Sequence, residues 1–150
     1  IELDDAINIL AKQAKFNPFN IIDALLQGNI SKCIHMLEQQ QQQGTAAAQI
    51  IWFLHKELQQ LYQMKTALAQ GDAMAEVFKS FRIWDKRKPL YQHALTNIKL
   101  NNINIATARL AQADLISKTD SEFNAFLLLT DVCTSVYHGD ITNNLSLALS

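Results

Sequence analysis

Apolar residues recur three or four positions apart along almost the whole chain, and the residues that would interrupt such a pattern are scarce. Spacing of this kind gathers the apolar side chains on one face of a helix. The 150 residues contain four glycines and two prolines, against a combined share near roughly 12% in average proteins. A β-sandwich or barrel needs turn formers every roughly 8–12 residues, so an all-β fold is excluded. The sequence predicts an all-α fold: a single helical domain of about seven to eight helices around one core, since a chain of this length does not divide into two large ones.

Individual helices can be placed from their apolar faces and their ends. Ala6, Ile9, Leu10 and Ala14 follow Asp4 and Asp5, whose carboxylates suit a helix N-terminus, and predict a short first helix. Pro18 opens a second, carrying Ile21, Ile22, Leu25 and Leu26 and stopping at Gly28. A third begins at 29–31 with Cys33, Ile34 and Leu37 on one face. It ends in the five glutamines 39–43, read as a solvated last turn because glutamine is a good helix former. A long helix over 46–70 follows, with Ile50, Leu54, Leu58, Leu61, Met64 and Leu68 on its apolar stripe. Shorter helices are predicted over 73–81 and 85–98, with Pro89 in a first turn. Two more cover 102–118 and 121–138, the last capped by Ser121 and ended by Gly139.

Several function classes are excluded before any motif is weighed. A net charge of −1 and a pI near 6.5 rule out a globally basic nucleic-acid binder, so any such contact must lie on one face. The longest apolar run, 46–54, is broken by Gln49 and is too short to cross a membrane, so the chain is expected to be soluble, with no membrane partner. Cys33 and Cys133 are a hundred positions apart and show no metal-ligand spacing. They are expected to be buried thiols in a reducing compartment. The four histidines stand singly, so no metal site is expected. None of the glycines belongs to a phosphate-cradling pattern, and no cofactor or ATP site is expected. Cys33 and His35, at i and i+2 on a helix, point apart, which leaves no nucleophile with a base and no catalytic residue. The opening Ile1-Glu2-Leu3 lacks both Met and the basic start of a signal peptide, and the chain is expected to be a piece of something longer.

One stretch departs from this background. KSFRIWDKRK, at 79–88, holds five of the thirteen lysines and arginines and one acid. Arg82, Lys86, Arg87 and Lys88 are candidate phosphate contacts, and Trp84 offers a face on which a base can stack. The competing reading is that Phe81, Ile83 and Trp84 anchor a helix connection in the core while the charges are merely solvated.

The stretches NPFNIIDALLQGNISKCIHMLEQ, IIWFLHKELQQLYQMKTALAQG and VFKSFRIWDKRKPLYQHAL occur in an order that resembles the C-terminal part of the delta-subunit family of bacterial DNA polymerase III clamp loaders. The last carries the most specific pattern, a short helix followed by a basic R-[VI]-W-x-x-R segment and an Ala-Leu helix. NNINIATARLAQADLISKTDSEFNAFLLLTDV looks like that family's closing helix pair, with Asp114 and Lys118 before a polar break. The likeness runs from about Phe16 to Val132. It implies that 1–15 is a remnant of a preceding helical lid domain, and that 16–150 is a collar domain that oligomerises with gamma/tau and delta-prime subunits in a five-membered ring.

The same resemblance implies that the sliding clamp is met only through an N-terminal domain outside this chain. It also implies that delta has no ATPase activity, that the chain works in the cytoplasm within a nucleoid-associated replisome, and that Trp84 lies near primer-template DNA. A ring of non-identical subunits requires two different faces on each protomer. Candidate partner-facing residues are Trp52, Phe53 and Tyr62 on the long helix and Phe123, Phe126 and Leu127 on the closing one. Two other classes compete with this reading. A peptide-binding helical adaptor is disfavoured by the absence of a fixed repeat period, and a small helical enzyme by the absence of convergent acid, base or nucleophile.

Overall fold

A computed structural model describes residues 17–119 and 121–139. Over these the chain forms α1 (Pro18–Gln27), α2 (Ile30–Gln42), α3 (Ala47–Ala69), α4 (Met74–Ser80), one 3₁₀ turn (Asp85–Arg87), α5 (Lys88–Asn97), α6 (Leu100–Thr119) and α7 (Glu122–His138). Among the described residues there is no strand, and the domain is all-α. The helix expected around Ala6 and the boundary expected at residue 15 lie outside the described residues.

Local chemistry explains most of the helix ends. The Asn17 side chain accepts the Phe19 N–H at 3.0 Å, and Pro18 occupies the first turn, where a missing N–H costs nothing. Gly28 takes φ +78°, and its N–H returns to the carbonyls of Ala24 and Leu25. From the far end of the chain, the Tyr137 hydroxyl donates to the carbonyls of Leu25 and Leu26 at 2.6 and 2.9 Å. α7 thus supplies a donor to the carbonyls at the end of α1.

Two segments differ from the sequence-based expectation. The glutamine run does continue α2, with Gln42 and Gln43 exposed, but Gln40 is buried and its amide oxygen accepts the Thr45 hydroxyl at 2.7 Å. One glutamine thus latches the turn into α3 instead of facing water. The helix expected over 85–98 is broken into a 3₁₀ turn and α5. Pro89 has no N–H to bond the Asp85 carbonyl, so the α ladder cannot extend back through it. That carbonyl takes the Lys88 N–H instead.

The long helix α3 lies at the centre and packs against α1, α4, α5, α6 and α7. Its inner stripe of Leu54, Leu58, Leu61 and Met64 is essentially inaccessible, as are Ile103 and Leu110 of α6 and Leu129 of α7. Each such side chain contributes roughly 1.5–3 kcal/mol relative to an exposed one. Helices α6 and α7 pack along their length, and an ion pair between Arg109 and Asp131 joins them. Both cysteines are buried free thiols. They meet in the core, where the neighbouring Cys33 thiol and then burial hold Cys133 well above the ordinary thiol range.

The N-cap of helix α3 is Ala46, which offers no side-chain cap. The Ala47 N–H instead donates to the Glu122 carboxylate at 2.8 Å, across 75 residues of sequence. Glu122 stands in the first turn of α7, and the fold gives it a second helix terminus to neutralise. Glu122→Ala is expected to lose about 1 kcal/mol, a fall of a few degrees in a thermal melt, and Glu122→Gln less than that. Equal melts for all three proteins would remove this capping role.

Candidate nucleic-acid interface

The basic stretch leaves α4, runs through an irregular connection and enters α5. Its first turn explains its shape. The Ile83 N–H bonds the Phe78 carbonyl at 3.0 Å and the Arg82 N–H bonds that of Lys79 at 3.2 Å, the pairing that closes a helix with a left-handed residue after it. That residue is Arg82, at φ +54°, the one non-glycine with positive φ among the described residues. Glycine is the usual occupant, and an L-residue there carries roughly 1–2 kcal/mol of strain. The chain keeps a long cation where the backbone prefers no side chain, which is the kind of strain that collects at functional sites.

The turn throws Trp84 outward, and its side chain is 76% exposed. The reading of all three as core anchors therefore fails for Trp84, whereas Phe81 and Ile83 do pack against the core. The candidate cations divide sharply. Arg82 and Lys86 are exposed and among the described residues have no acidic partner. Lys88 is tied to Asp85 at 2.7 Å on the surface; the bond to Lys88 holds the Asp85 carboxyl below its ordinary range.

Arg87 is turned inward. It pairs with Asp23 of α1 at 2.6 Å, with 21% and 35% of the two side chains accessible, and its guanidinium lies 5.7 Å from the ring centres of both Phe19 and Tyr91. Arg87, expected among the phosphate contacts, thus has its Nη1 donating to Asp23 and ties the connection to α1.

Behind Trp84 the connection walls a cavity of about 370 Å³ together with α1, α3 and α5. It is lined by Phe19, Phe53, Phe81, Trp84 and Tyr91, and Lys56, Glu57, Gln60 and Arg82 are among its polar residues. The Tyr91 hydroxyl donates to the Glu57 carboxyl at 2.5 Å and accepts from the Gln60 amide nitrogen at 3.1 Å. Burial pushes the Glu57 carboxyl above its usual 4.5, although Tyr91 and Arg87 pull the other way. Burial likewise raises the Tyr91 phenol.

The sign of the resulting pH dependence follows from linkage. A carboxyl whose folded pKa is raised contributes stability below its unfolded value, and that contribution is lost as pH rises through the folded one. Glu57→Gln is therefore expected to melt progressively higher relative to the parent as the pH rises from about 4 to 7. A difference that does not vary with pH would contradict this account of Glu57.

The residues expected to face partners also separate. Trp52 is 57% exposed and Leu127 56%, with Tyr62 and Phe123 similarly open. Phe53 is half-buried and meets Trp52 edge to face at 4.9 Å. Phe126 is 4% exposed and belongs to the core, because it continues the inward stripe of Ala125, Leu129 and Val132. Between α3 and α6 a groove of about 340 Å³ runs beside Trp52, floored by Ile51 and Leu110 and flanked by His55 and Asp114. Asp114 bonds Lys118 at 3.1 Å.

Sequence reasoning missed the cavity residues Phe19, Glu57, Gln60 and Tyr91, and the exposed Leu115. Glu57 carried a signal, since it interrupts the apolar edge beside Leu54 and Leu58; so did Leu115, an apolar residue off the stripe of Ile103, Ala106, Leu110 and Ala113. Among the described residues no group of three or more His, Cys, Asp or Glu is placed to hold a metal. No helix among them is long and apolar enough to cross a membrane.

Comparison with known proteins bears on this arrangement directly. The family model for the C-terminal part of the DNA polymerase III processivity clamp loader gamma complex matches residues 18–136, from the start of α1 to within α7. DNA polymerase III subunit delta of Escherichia coli (strain K12) is 29% identical over 107 residues, covering 71% of this chain and 31% of that protein. The chain thus spans about a third of the length of that relative. The helical bundle, with its exposed tryptophans and basic connection, belongs to the family of C-terminal domains of the DNA polymerase III processivity clamp loader.

Proposed function

We propose that the part of the chain from residue 16 onward is a delta-type collar: a non-catalytic helical domain that packs between gamma/tau and delta-prime sister subunits in a five-membered ring. The observation that carries this reading is the set of large apolar side chains left in solvent on three helices: Trp52 and Tyr62 on α3, Leu115 on α6, Phe123 and Leu127 on α7. Large apolar side chains left in solvent suit association sites, and aromatic residues dominate the energetics of such sites. The sliding clamp would be met by the part of a delta subunit that this chain does not span.

The test is assembly of the full-length subunit with purified gamma/tau and delta-prime. The wild type should be retained in the complex, whereas Trp52→Glu combined with Leu127→Glu should be lost from it while melting normally. Equal retention of both proteins would overturn the reading. A peptide-binding adaptor or an enzyme would not be held by those subunits at all.

A second reading is favoured by the exposure of Trp84. In the assembled loader, Trp84, Arg82 and Lys86 would meet the single-stranded part of primer-template DNA, the cations neutralising phosphates and the indole offering a stacking face. Arg87 would contribute by holding the connection in place.

A further inference from the structure

Arg82 holds a left-handed backbone, φ +54°, where glycine would be easier, and it lines the cavity behind Trp84. At about 370 Å³ that cavity lies at the small end of the range of ligand sites, roughly 300–1,000 Å³. Five rings line it, those of Phe19, Phe53, Phe81, Trp84 and Tyr91. Polar side chains beside them are engaged within the fold: Tyr91 donates to Glu57 and accepts from Gln60, and Arg87 donates to Asp23. A ring without a polar edge can enter such a space and give up no hydrogen bond, whereas a nucleic-acid base carries polar edges that must find partners once buried. The cavity therefore favours an apolar ring.

The surrounding charge selects the rest of the occupant. Lys56 and Arg82 line the cavity and are exposed, and Lys86 is exposed in the 3₁₀ turn that follows. The one carboxyl in the lining, that of Glu57, is half-buried and bonded to Tyr91. Because the whole chain carries a net charge of −1, this excess of cations is local, and it repels a basic partner while drawing an acidic one.

We propose that the cavity is a docking site for an acidic segment of a partner protein, which places one aromatic side chain among the five rings while neighbouring carboxylates meet Arg82, Lys86 and Lys56. A single buried anchor of this kind supplies most of the binding energy of many interfaces, and contacts between rings add to the burial. The strain at Arg82 then keeps a cation beside the anchor. This site goes beyond the assembly and DNA readings and depends on neither. It shares Arg82 and Lys86 with the DNA reading, so a strand and an acidic segment would exclude each other.

Binding is read by fluorescence anisotropy on assembled loader that contains the full-length subunit. The probe is a short dye-labelled peptide of aspartate and glutamate with one central phenylalanine. The same peptide with serine in place of phenylalanine should bind about tenfold more weakly, and one with lysine in place of every acid should not bind. Two variants of the subunit test the location. Phe19→Asp puts a carboxylate on the cavity lining and in the first turn of α1, where a helix accepts it. Arg82→Gly combined with Lys86→Ala removes two cations and relieves the backbone, so its melt should not fall below the parent. Each variant should weaken the acidic peptide about tenfold.

Equal binding of the phenylalanine and serine peptides would leave a contact of charges alone and overturn the cavity as the site. Unchanged binding of the acidic peptide in both variants would put it elsewhere on the loader and overturn the proposal. A dT strand weakened by Phe19→Asp, with no binding of the acidic peptide to the parent, would overturn it in favour of nucleic acid.

Discussion

Arg87→Ala is expected to destabilise the domain by about 2–3 kcal/mol, the largest effect of any substitution in the basic connection. Breaking a fully buried ion pair by removing one partner costs roughly 3–5 kcal/mol. Arg87 and Asp23 keep 21% and 35% of their side-chain exposure, so water relieves part of that cost and the ion pair alone accounts for about 2 kcal/mol. The guanidinium also lies over two aromatic rings, contacts that add about 0.5–1 kcal/mol.

In a domain of this size the loss corresponds to a fall of about 6–10 °C in the melting temperature. Lys86→Ala should behave in the opposite way, with an unchanged melt and weaker DNA binding. A melt of Arg87→Ala indistinguishable from the parent would show that the pairing with Asp23 does not hold the connection, and Arg87 would return to the candidate phosphate contacts.

The second large effect is on binding. Trp84→Ala in the assembled loader is expected to weaken single-stranded DNA by about 1–3 kcal/mol, or about 5–150-fold. Its melt should stay within about 0.5 kcal/mol of the parent, the usual range for an exposed position, because 76% of the side chain is in solvent. Trp84→Phe keeps a π face and should recover most of the loss. Unaltered DNA affinity in Trp84→Ala would mean that the exposed indole serves something other than nucleic acid.

These two residues show where sequence reading succeeds and where it stops. The helices are legible because their signals are local: Asn17, Pro18 and Gly28 mark both ends of α1 within a dozen positions, and the stripe from Ile50 to Met64 marks the inner face of α3. The basic connection stands out for the same reason, since its charge is concentrated in one run.

What a side chain in that run touches is not local. Arg87 meets Asp23 64 residues away, and only the packing of α5 on α1 turns it inward while Arg82 and Lys86 remain outside. The cavity draws on four separate parts of the chain, and the Glu57 carboxyl enters it only once Tyr91 arrives across 34 residues. Phe126 and Leu127 illustrate the same limit on a smaller scale. They are adjacent and equally apolar, yet one faces the core and the other water, a distinction that depends on which neighbour α7 packs against.

The central claim is that the exposed apolar side chains of this bundle are buried against sister subunits. Photo-crosslinking tests it most directly, with a photoreactive amino acid placed at position 52 and, in a second protein, at position 127 of the full-length subunit in the assembled loader. The account predicts that each position yields a covalent adduct with a gamma/tau or delta-prime subunit on illumination. Illuminated complexes that contain the subunit but show no adduct from either position would contradict it.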